Sequence, residues 1–409
     1  MLDSPRSRPV VAAVVGVIVG VPLALAAACG ASPTPIAFDA PGSSDQTLST
    51  LSFDSNTVPG NTPTSSSDPA SAASAAAAEA AKGRWVDVTG NLLGMSSVCG
   101  TTTYVTVRPD RDGVITGVAG QGLWTSENGA SEWTPLGQGA GSAKITNRPT
   151  SLVFDPTDAR RFWESGVYEG LGAFETKDGG TTFNGLDVQH SDLVSIDFND
   201  GSRSTLLSGT HEQPDVKQST NGGQSWASIS AGLPPGVGSA SFPLVLDAKT
   251  YLLGSKAGDG AGVFRTTDGG ATWTKVHEGA VSGPPLIAKS DGKIYWLLGT
   301  GALISSGDGG VTWADAGSYG PAGGNVGYLL ELPDGRLATL GTTNVIVSKD
   351  HGASWRAVGA TLPIKAAGIA YSPFRQTFYI WRSDCDNSTP NNPVQASSIM
   401  RLDDFVDAQ

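Results

Sequence analysis

The most suggestive chemical groups in this chain are Tyr168 and Glu169, His190 and Asp192, and His211 and Glu212. Two carboxylates drawn from Glu169, Asp192 and Glu212 would suit acid and base work on a glycosidic bond, where one acid protonates the leaving oxygen and the other group assists attack. Arg148 adds a cation able to hold an anionic or hydroxylated ligand. His190 and His211 with a carboxylate could in principle ligate a metal, but no short ligand spacing supports this. Neither a metal nor a cofactor is therefore expected. Asp110-Arg111-Asp112-Gly113 looks like the start of a Ca²⁺ loop, yet it lacks the later ligands and reads as a turn between strands.

Composition bounds the scaffold that must position these groups. Across 409 residues, 26 Lys and Arg stand against 38 Asp and Glu, a net charge of −12. A nucleic-acid partner is not expected, because phosphate binding needs clustered cations. Gly 54 and Pro 25 make up about a fifth of the chain, while charged residues are only 16%. An ordinary soluble domain carries roughly 25% charge. Many tight turns and few surface helices follow, hence an all-β protein.

The N-terminus reads as an address. Arg6 and Arg8 precede an apolar run from Val10 to Ala28, which ends Leu25-Ala26-Ala27-Ala28-Cys29-Gly30. A basic start, an apolar core and small residues before a cleavage point make a secretory signal over residues 1–29. Cys29 after three Ala resembles a bacterial lipobox, in which the Cys is lipidated and becomes the new N-terminus. Ala26-x-Ala28 also fits an ordinary signal-peptidase site, which would release a secreted protein. The run is also near the roughly 20 apolar residues that span a bilayer. All three readings place the rest of the chain outside the cytoplasm, and the lipobox reading makes it a membrane-anchored bacterial lipoprotein. Residues 30–82 are rich in Ser, Thr, Pro and Ala, with too few large apolar side chains to offset the entropy of ordering. They are expected to be a disordered linker, with a short helix possible over Ala73 to Ala81.

From Gly83 onward the chain repeats. Six octapeptides recur, among them Thr176-Lys177-Asp178-Gly179-Gly180-Thr181-Thr182-Phe183 and Thr266-Thr267-Asp268-Gly269-Gly270-Ala271-Thr272-Trp273. Their heads and aromatics are Asn128 with Trp133, Asp178 with Phe183, Asn221 with Trp226, Asp268 with Trp273, Asp308 with Trp313, and Asp350 with Trp355. Asp or Asn at the head of a turn is expected to accept backbone N–H bonds two residues on. The following Gly allows φ > 0 for a tight hairpin with a bulge. The aromatic is then expected to start the outgoing strand. Burying one such ring removes ~150–250 Å² from water, about 4–6 kcal/mol as an upper bound.

This octapeptide resembles the Asp-box, or BNR repeat, of sialidases, xyloglucan-degrading endoglucanases, sortilin and the photosystem II assembly factor of the thylakoid lumen. The resemblance implies a β-propeller, with the boxes as structural turns away from the ligand face. The aromatic-to-aromatic spacings of 50, 43, 47, 40 and 42 residues fit one four-stranded blade per repeat. The fourth blade should comprise 242–246, 251–255, 262–266 and 272–276, and the sixth 327–332, 337–341, 345–348 and 354–358. A seventh unit keeps three strands, at 368–371, 377–381 and 398–402. Trp85, 48 residues before Trp133, lies in the aromatic place of a strand that would complete that last blade. The expectation is a seven-bladed propeller over residues 83–409, closed by its N-terminal strand so that no sheet edge is left open. Cys99 and Cys385 then fall on loops of neighbouring blades, one and seven, and are expected to form a disulfide in an oxidising compartment.

In a propeller, the loops between blades and those between second and third strands share one face. Sorting the chain this way places Arg148, Glu164, Tyr168, Glu169, His190, Asp192, His211, Glu212, Asp215, Asp259, Tyr319, Arg382, Asp384 and Asp386 at the mouth. Tyr168 with Glu169 would there resemble the nucleophile pair of sialidases. The three-arginine carboxylate clamp and the Phe/Tyr-Arg-Ile-Pro motif of that family find only Asn147-Arg148-Pro149 here, and sialidases have six blades. Xyloglucanases are similar in repeat style but set their site between two propellers. The photosystem factor has seven blades and a basic surface, whereas residues 83–409 carry 23 Lys and Arg against 32 Asp and Glu. The expected function is thus a monomeric, tethered propeller that binds an extracytoplasmic glycan or protein. The alternatives are a sialidase-like or xyloglucanase-like glycoside hydrolase, with Tyr168, Glu169, Asp192 and Glu212 as catalytic candidates, and an assembly factor for a membrane complex.

Overall fold

The computed structural model describes residues 83–98, 102–138, 141–320, 327–383 and 393–404. The expected signal segment with Cys29, the expected linker, Cys99, Cys385, Asp384 and Asp386 lie outside the described residues. The described chain forms seven antiparallel four-stranded sheets arranged as the blades of a propeller, with only two short 3₁₀ turns, Gly90–Leu92 and Gly141–Lys144.

Blades two, three and four position the candidate site. Blade two runs Arg148–Asp155, Asp158–Val167, Ala173–Thr176 and Asn184–Gly185 from first to last strand. Blade three runs Ser191–Ile196, Leu206–Thr210, Val216–Ser219 and Ala227–Ser228. Blade four runs Phe242–Val245, Tyr251–Gly254, Gly262–Thr266 and Thr274–Glu278. The cores lie between blades rather than within one, because each sheet buries both faces on its neighbours. Trp163 and Ala173 of blade two pack with Val194 and Leu206 of blade three, and Leu207 and Val216 pack with Tyr251 and Phe264 of blade four.

The ring closes through the N-terminal strand. Arg84–Asp87 pairs antiparallel with Ile399–Asp403, Trp85 opposite Leu402. The Trp85 indole N–H donates to the carbonyl of Ala360 in blade six at 3.0 Å. Trp133, Trp226 and Trp273 make the same bond to Val88, Leu186 and Ile229, each just past the last strand of the preceding blade. Trp85 therefore occupies the aromatic place although no octapeptide precedes it.

Two local expectations need correction. The octapeptide aromatic does not start the last strand but stands one residue before it, as Trp273 stands before Thr274–Glu278. Its ring turns under the hairpin, where Trp133 and Phe183 are 1% exposed. The turn-head Asp also does not accept the N–H two residues on. Asp178, Asp268, Asp308 and Asp350 accept the backbone N–H four residues on, from Thr182, Thr272, Thr312 and Ser354, at 2.8–2.9 Å. The reason is the curl imposed by consecutive left-handed glycines, such as Gly269 and Gly270 at φ 74° and 89°. The Ser or Thr two residues before the Asp then accepts the second glycine's N–H, as Thr266 does from Gly270 at 3.1 Å.

Candidate functional site

The strand ends of blades two to four deliver the candidates to one place. Arg148 opens its strand, Tyr168 and Glu169 follow Val167, His190 precedes Ser191, and Asp192 lies inside the same strand. His211 and Glu212 follow Thr210. The His211 backbone N–H donates to the carbonyl of His190 at 2.7 Å, which ties the two loops of blade three together.

Tyr168 is the hub. Its hydroxyl stands 3.0 Å from His211 Nε2 and 3.4 Å from Glu212 Oε2. The His190 and His211 rings meet its ring edge-on, with centroids at 5.4 and 5.3 Å. The Arg148 guanidinium lies over the same ring, 4.8 Å from its centroid. His211 Nδ1 is 2.7 Å from Asp192 Oδ1, and Lys256 Nζ is 3.3 Å from Asp192 Oδ2. Glu169 turns away from the Tyr168 hydroxyl and takes Arg148 bidentately, at 3.0 and 3.1 Å. The expected Tyr168–Glu169 pair is therefore replaced by Tyr168 with His211 and Glu212, because the loop reverses at Tyr168 and sends successive side chains to opposite sides.

Four of these residues hold left-handed backbone. Tyr168, Glu169, His190 and Glu212 have φ of 57°, 46°, 52° and 54°. They are four of the eleven non-glycine residues at positive φ among the described residues. Each such position costs of order 1–3 kcal/mol and persists only where the surroundings fix it, so their concentration around one hydroxyl marks a site.

Electrostatics divides the acids into spent and available. Burial would raise Asp192, but the His211 hydrogen bond and the Lys256 charge outweigh it and hold the carboxyl below its ordinary value. Asp192, with a side chain only 7% exposed, is thus an ionised support beneath His211. Burial and the neighbouring Glu212 carboxylate push the Tyr168 phenol up, so it remains a hydroxyl donor. Glu212 is 71% exposed and faces solvent.

Among the other mouth candidates, Glu164, Asp215 and Tyr319 serve the fold. Glu164 is fully buried in its strand, touches Asn147 Nδ2 at 3.4 Å, and is pushed well up by burial. Asp215 accepts from Ser228 and Ser230 at 2.6 and 2.9 Å. The Tyr319 hydroxyl donates to the Leu298 carbonyl at 2.9 Å. Asp259 is exposed on the blade four loop, and Arg382 is half-buried just past Trp381. Asp110 to Gly113 is the turn joining Thr102–Val107 to Val114–Val118, with Asp110 and Asp112 paired to Arg111 and Arg375. Among the described residues, no group of His, Cys, Asp or Glu converges to hold a metal ion. Lys256 escaped the sequence reading. Its signal was positional, since it follows a second strand as Tyr168 and His211 do.

A cavity of about 840 Å³ lies elsewhere, among the first strands of blades one, five, six and seven, and includes Leu286, Leu330 and Tyr371. None of the clustered candidates lines it. Volume and chemistry disagree here, and the fixed backbone around Tyr168 gives the chemistry more weight.

A family model described as the DUF6242 beta propeller domain matches residues 223–377. No curated protein matches the chain. Among solved structures, the GH74 enzyme of Niastella koreensis is similar with a TM-score of 0.52 and 18% identity, over 74% of this chain and 55% of that one. The extracellular domain of a protein described as a hybrid two component system from B. thetaiotaomicron gives 0.53 and 13%, over 77% and 41%. YCF48 from Cyanidioschyzon merolae gives 0.48 and 13%, over 78% and 98%. The chain thus spans about half the length of the first two, and those two likenesses agree with the propeller fold that the seven four-stranded sheets show.

Proposed function

We propose that this chain is an exported protein, held at a membrane surface through lipidated Cys29, whose propeller binds an extracytoplasmic glycan at the Tyr168 cluster. The six octapeptides are read as Asp-boxes that set the blades and take no part in binding. The observation that carries the reading is the charge arrangement. Glu169 is tied to Arg148, and Asp192 is buried under His211 and Lys256. Of Glu169, Asp192 and Glu212, only Glu212 has no lysine or arginine partner among the described residues, so two unpaired acids for a glycosidic acid–base pair are not presented together. An aromatic hydroxyl, an imidazole and one carboxylate instead make a set of hydrogen-bonding groups suited to sugar hydroxyls.

The Tyr168–His211–Asp192 chain of contacts favours a second reading. A histidine oriented by an acid could take the phenol proton and make Tyr168 a nucleophile, in a glycoside hydrolase. One experiment separates the two. The full chain is tested against a glycan panel for binding and for product release, with Tyr168→Phe and Glu212→Gln as controls. Saturable binding without turnover, weakened by both changes, supports the binding reading. Turnover abolished by Tyr168→Phe overturns it in favour of hydrolysis.

A further inference from the structure

The turn octapeptide joins blades as well as strands, because it packs on the blade before it. Gly270 sits on Ile229, Gly310 on Leu252 and Gly352 on Leu303, so close that a Cβ at these glycines would meet those side chains at 2.2–2.6 Å. The preceding blade also reaches toward the turn. Arg265 Nε donates to the Gly309 carbonyl at 3.0 Å, and the Arg401 guanidinium donates to the Gly129 carbonyl. Blade seven has no octapeptide after its third strand, Ile399–Asp403. Blade six therefore receives no such turn.

Blade six leaves room at that place. Its strands Leu337–Leu340 and Val345–Ser348 set Ala338 opposite Val347, where blade four has Leu252 opposite Arg265. Above these two smaller side chains lies a groove of about 690 Å³, lined by Asp334, Arg336, Val347, Lys349, Trp355 and Arg356 among others. Val347 pairs with Arg356, while Arg336 and Lys349 flank the paired Leu337 and Ser348. Strand alternation thus brings all three cations to the Val347 face. That face packs on blade seven, where Ala338 and Val347 share a core with Phe378 and Leu402. Three cations against Asp334 make the groove basic, although residues 83–409 carry 32 acids and 23 bases.

We propose that Phe405, Val406 and Asp407 fill this groove as the substitute for a seventh octapeptide. They lie outside the described residues, directly after Asp404. Arg401 corresponds to Arg265, since both donate to the turn of the next blade, and the same count puts Asp404 where Asp268 heads its octapeptide. Val406 then stands in the place of the second glycine, the one that packs on the blade before. Gly310 and Gly352 have no room for a side chain there, whereas Ala338 and Val347 leave it. Asp404 holds left-handed backbone at φ 56°, so the strand ends in a turn at this point. Phe405 and Val406 cover Val347, and Asp407 meets Lys349 and Arg356. An anion from solution would use the cations alone, while the apolar floor and the Trp355 ring suit a segment with both a ring and an acid. Because the segment is attached beside the groove, its effective concentration there is high. Blade seven is thus clasped to blade six twice, by Trp85 and by this segment.

The test replaces Phe405 by the photo-cross-linking residue benzoylphenylalanine in the full chain. Mass spectrometry of the irradiated monomer should place the cross-link within residues 334–356. Asp407→Lys should lower its yield about threefold, the scale of one ion pair near a surface. Asp407→Lys combined with Lys349→Glu and Arg356→Glu should restore the yield, which a local disturbance of the segment would not do. Lys349 and Arg356 are exposed, so cooperative thermal unfolding of each variant serves as the folding control. Cross-links outside blade six, cross-links between two copies, or none at all would overturn the clasp. Saturable binding of inorganic phosphate by the full chain, measured by calorimetry and abolished by Lys349→Glu, would also overturn it, because the groove would then stand open to an anion.

Discussion

The Tyr168 hydroxyl lies 3.0 Å from His211 Nε2, and the two residues come from equivalent loops of adjacent blades. Each follows the second strand of its sheet, so the contact exists only because blades two and three are held in fixed register. That register is set from below, where Ser165 accepts the Val194 N–H at 2.9 Å and Thr150 donates to the Asp192 carbonyl at 2.9 Å. The geometry of the mouth is therefore a property of blade packing as much as of the loops.

Asp192 ties that contact to acid stability. Its carboxyl is held below the ordinary value by His211 and Lys256 in the folded protein. A depressed carboxylate stabilises the fold above its unfolded pKa, near ~3.9, and that contribution disappears as pH falls through the folded value. Asp192→Asn should cost about 1.5–3 kcal/mol at neutral pH, typical of a hydrogen bond to a charged group. The gap to the unaltered protein, followed by urea denaturation, should shrink as pH drops below 4. A gap that stays constant with pH would show that Asp192 acts by shape alone.

Trp85 should matter beyond its own burial. Its indole bond to Ala360 joins blades seven and six, and its strand covers the edge of Ile399–Asp403. Trp85→Ala should lower stability by about 3 kcal/mol, the low end for a buried tryptophan because the ring is only half-buried. Removal of residues 83–87 should do more, because an uncovered strand edge pairs with other chains. Light scattering during refolding would read this directly, and a truncated chain that stays monomeric would contradict the closure argument.

The turn-head carboxylates should act together at low pH. Hydrogen bonds from the Thr272, Thr312 and Ser354 side chains, followed by those from their backbone N–H groups, bring Asp268, Asp308 and Asp350 down to about 2. Their stabilisation is present above ~3.9 and is lost on acidification through about 2. The melting temperature should therefore fall steeply between pH 4 and pH 2. Asp268→Asn should remove part of that dependence and keep most of the turn, whereas Asp268→Ala should lower the melting temperature at neutral pH as well. The order Asp, Asn, Ala in melting temperature is the measurable outcome.

The fold was legible in the sequence because its determinants are local and repeated. Each octapeptide carries its own turn chemistry, and the spacing of Trp133, Phe183 and Trp226 counts the blades without any knowledge of contacts. Trp85 could be placed because it falls one period before Trp133. The site was legible only as a set of loop positions. Whether Glu169 or Glu212 meets the Tyr168 hydroxyl depends on the left-handed turns at Tyr168 and Glu212, and neither residue type signals φ > 0 in a sequence. Lys256 was missed for a related reason, since its role exists only through Asp192 on the neighbouring blade.

The same closure argument bears on Cys99 and Cys385. The segments flanking their loops pair: the Gly94 N–H donates to the Val394 carbonyl at 2.9 Å, the Val394 N–H to Met95 at 2.7 Å, and Ser96 bridges Pro393. We propose that the two cysteines form a disulfide once the chain is exported, locking blade one to blade seven beside the N-terminal strand. Non-reducing peptide mapping of the exported protein should yield one cross-linked peptide that contains both residues. Cys99→Ser with Cys385→Ser should cost about 2–5 kcal/mol, and a reductant should destabilise the unaltered protein by a similar amount while leaving the double variant unchanged. Two free thiols titrating in the native exported protein would overturn the pairing and leave closure to Trp85 and its strand.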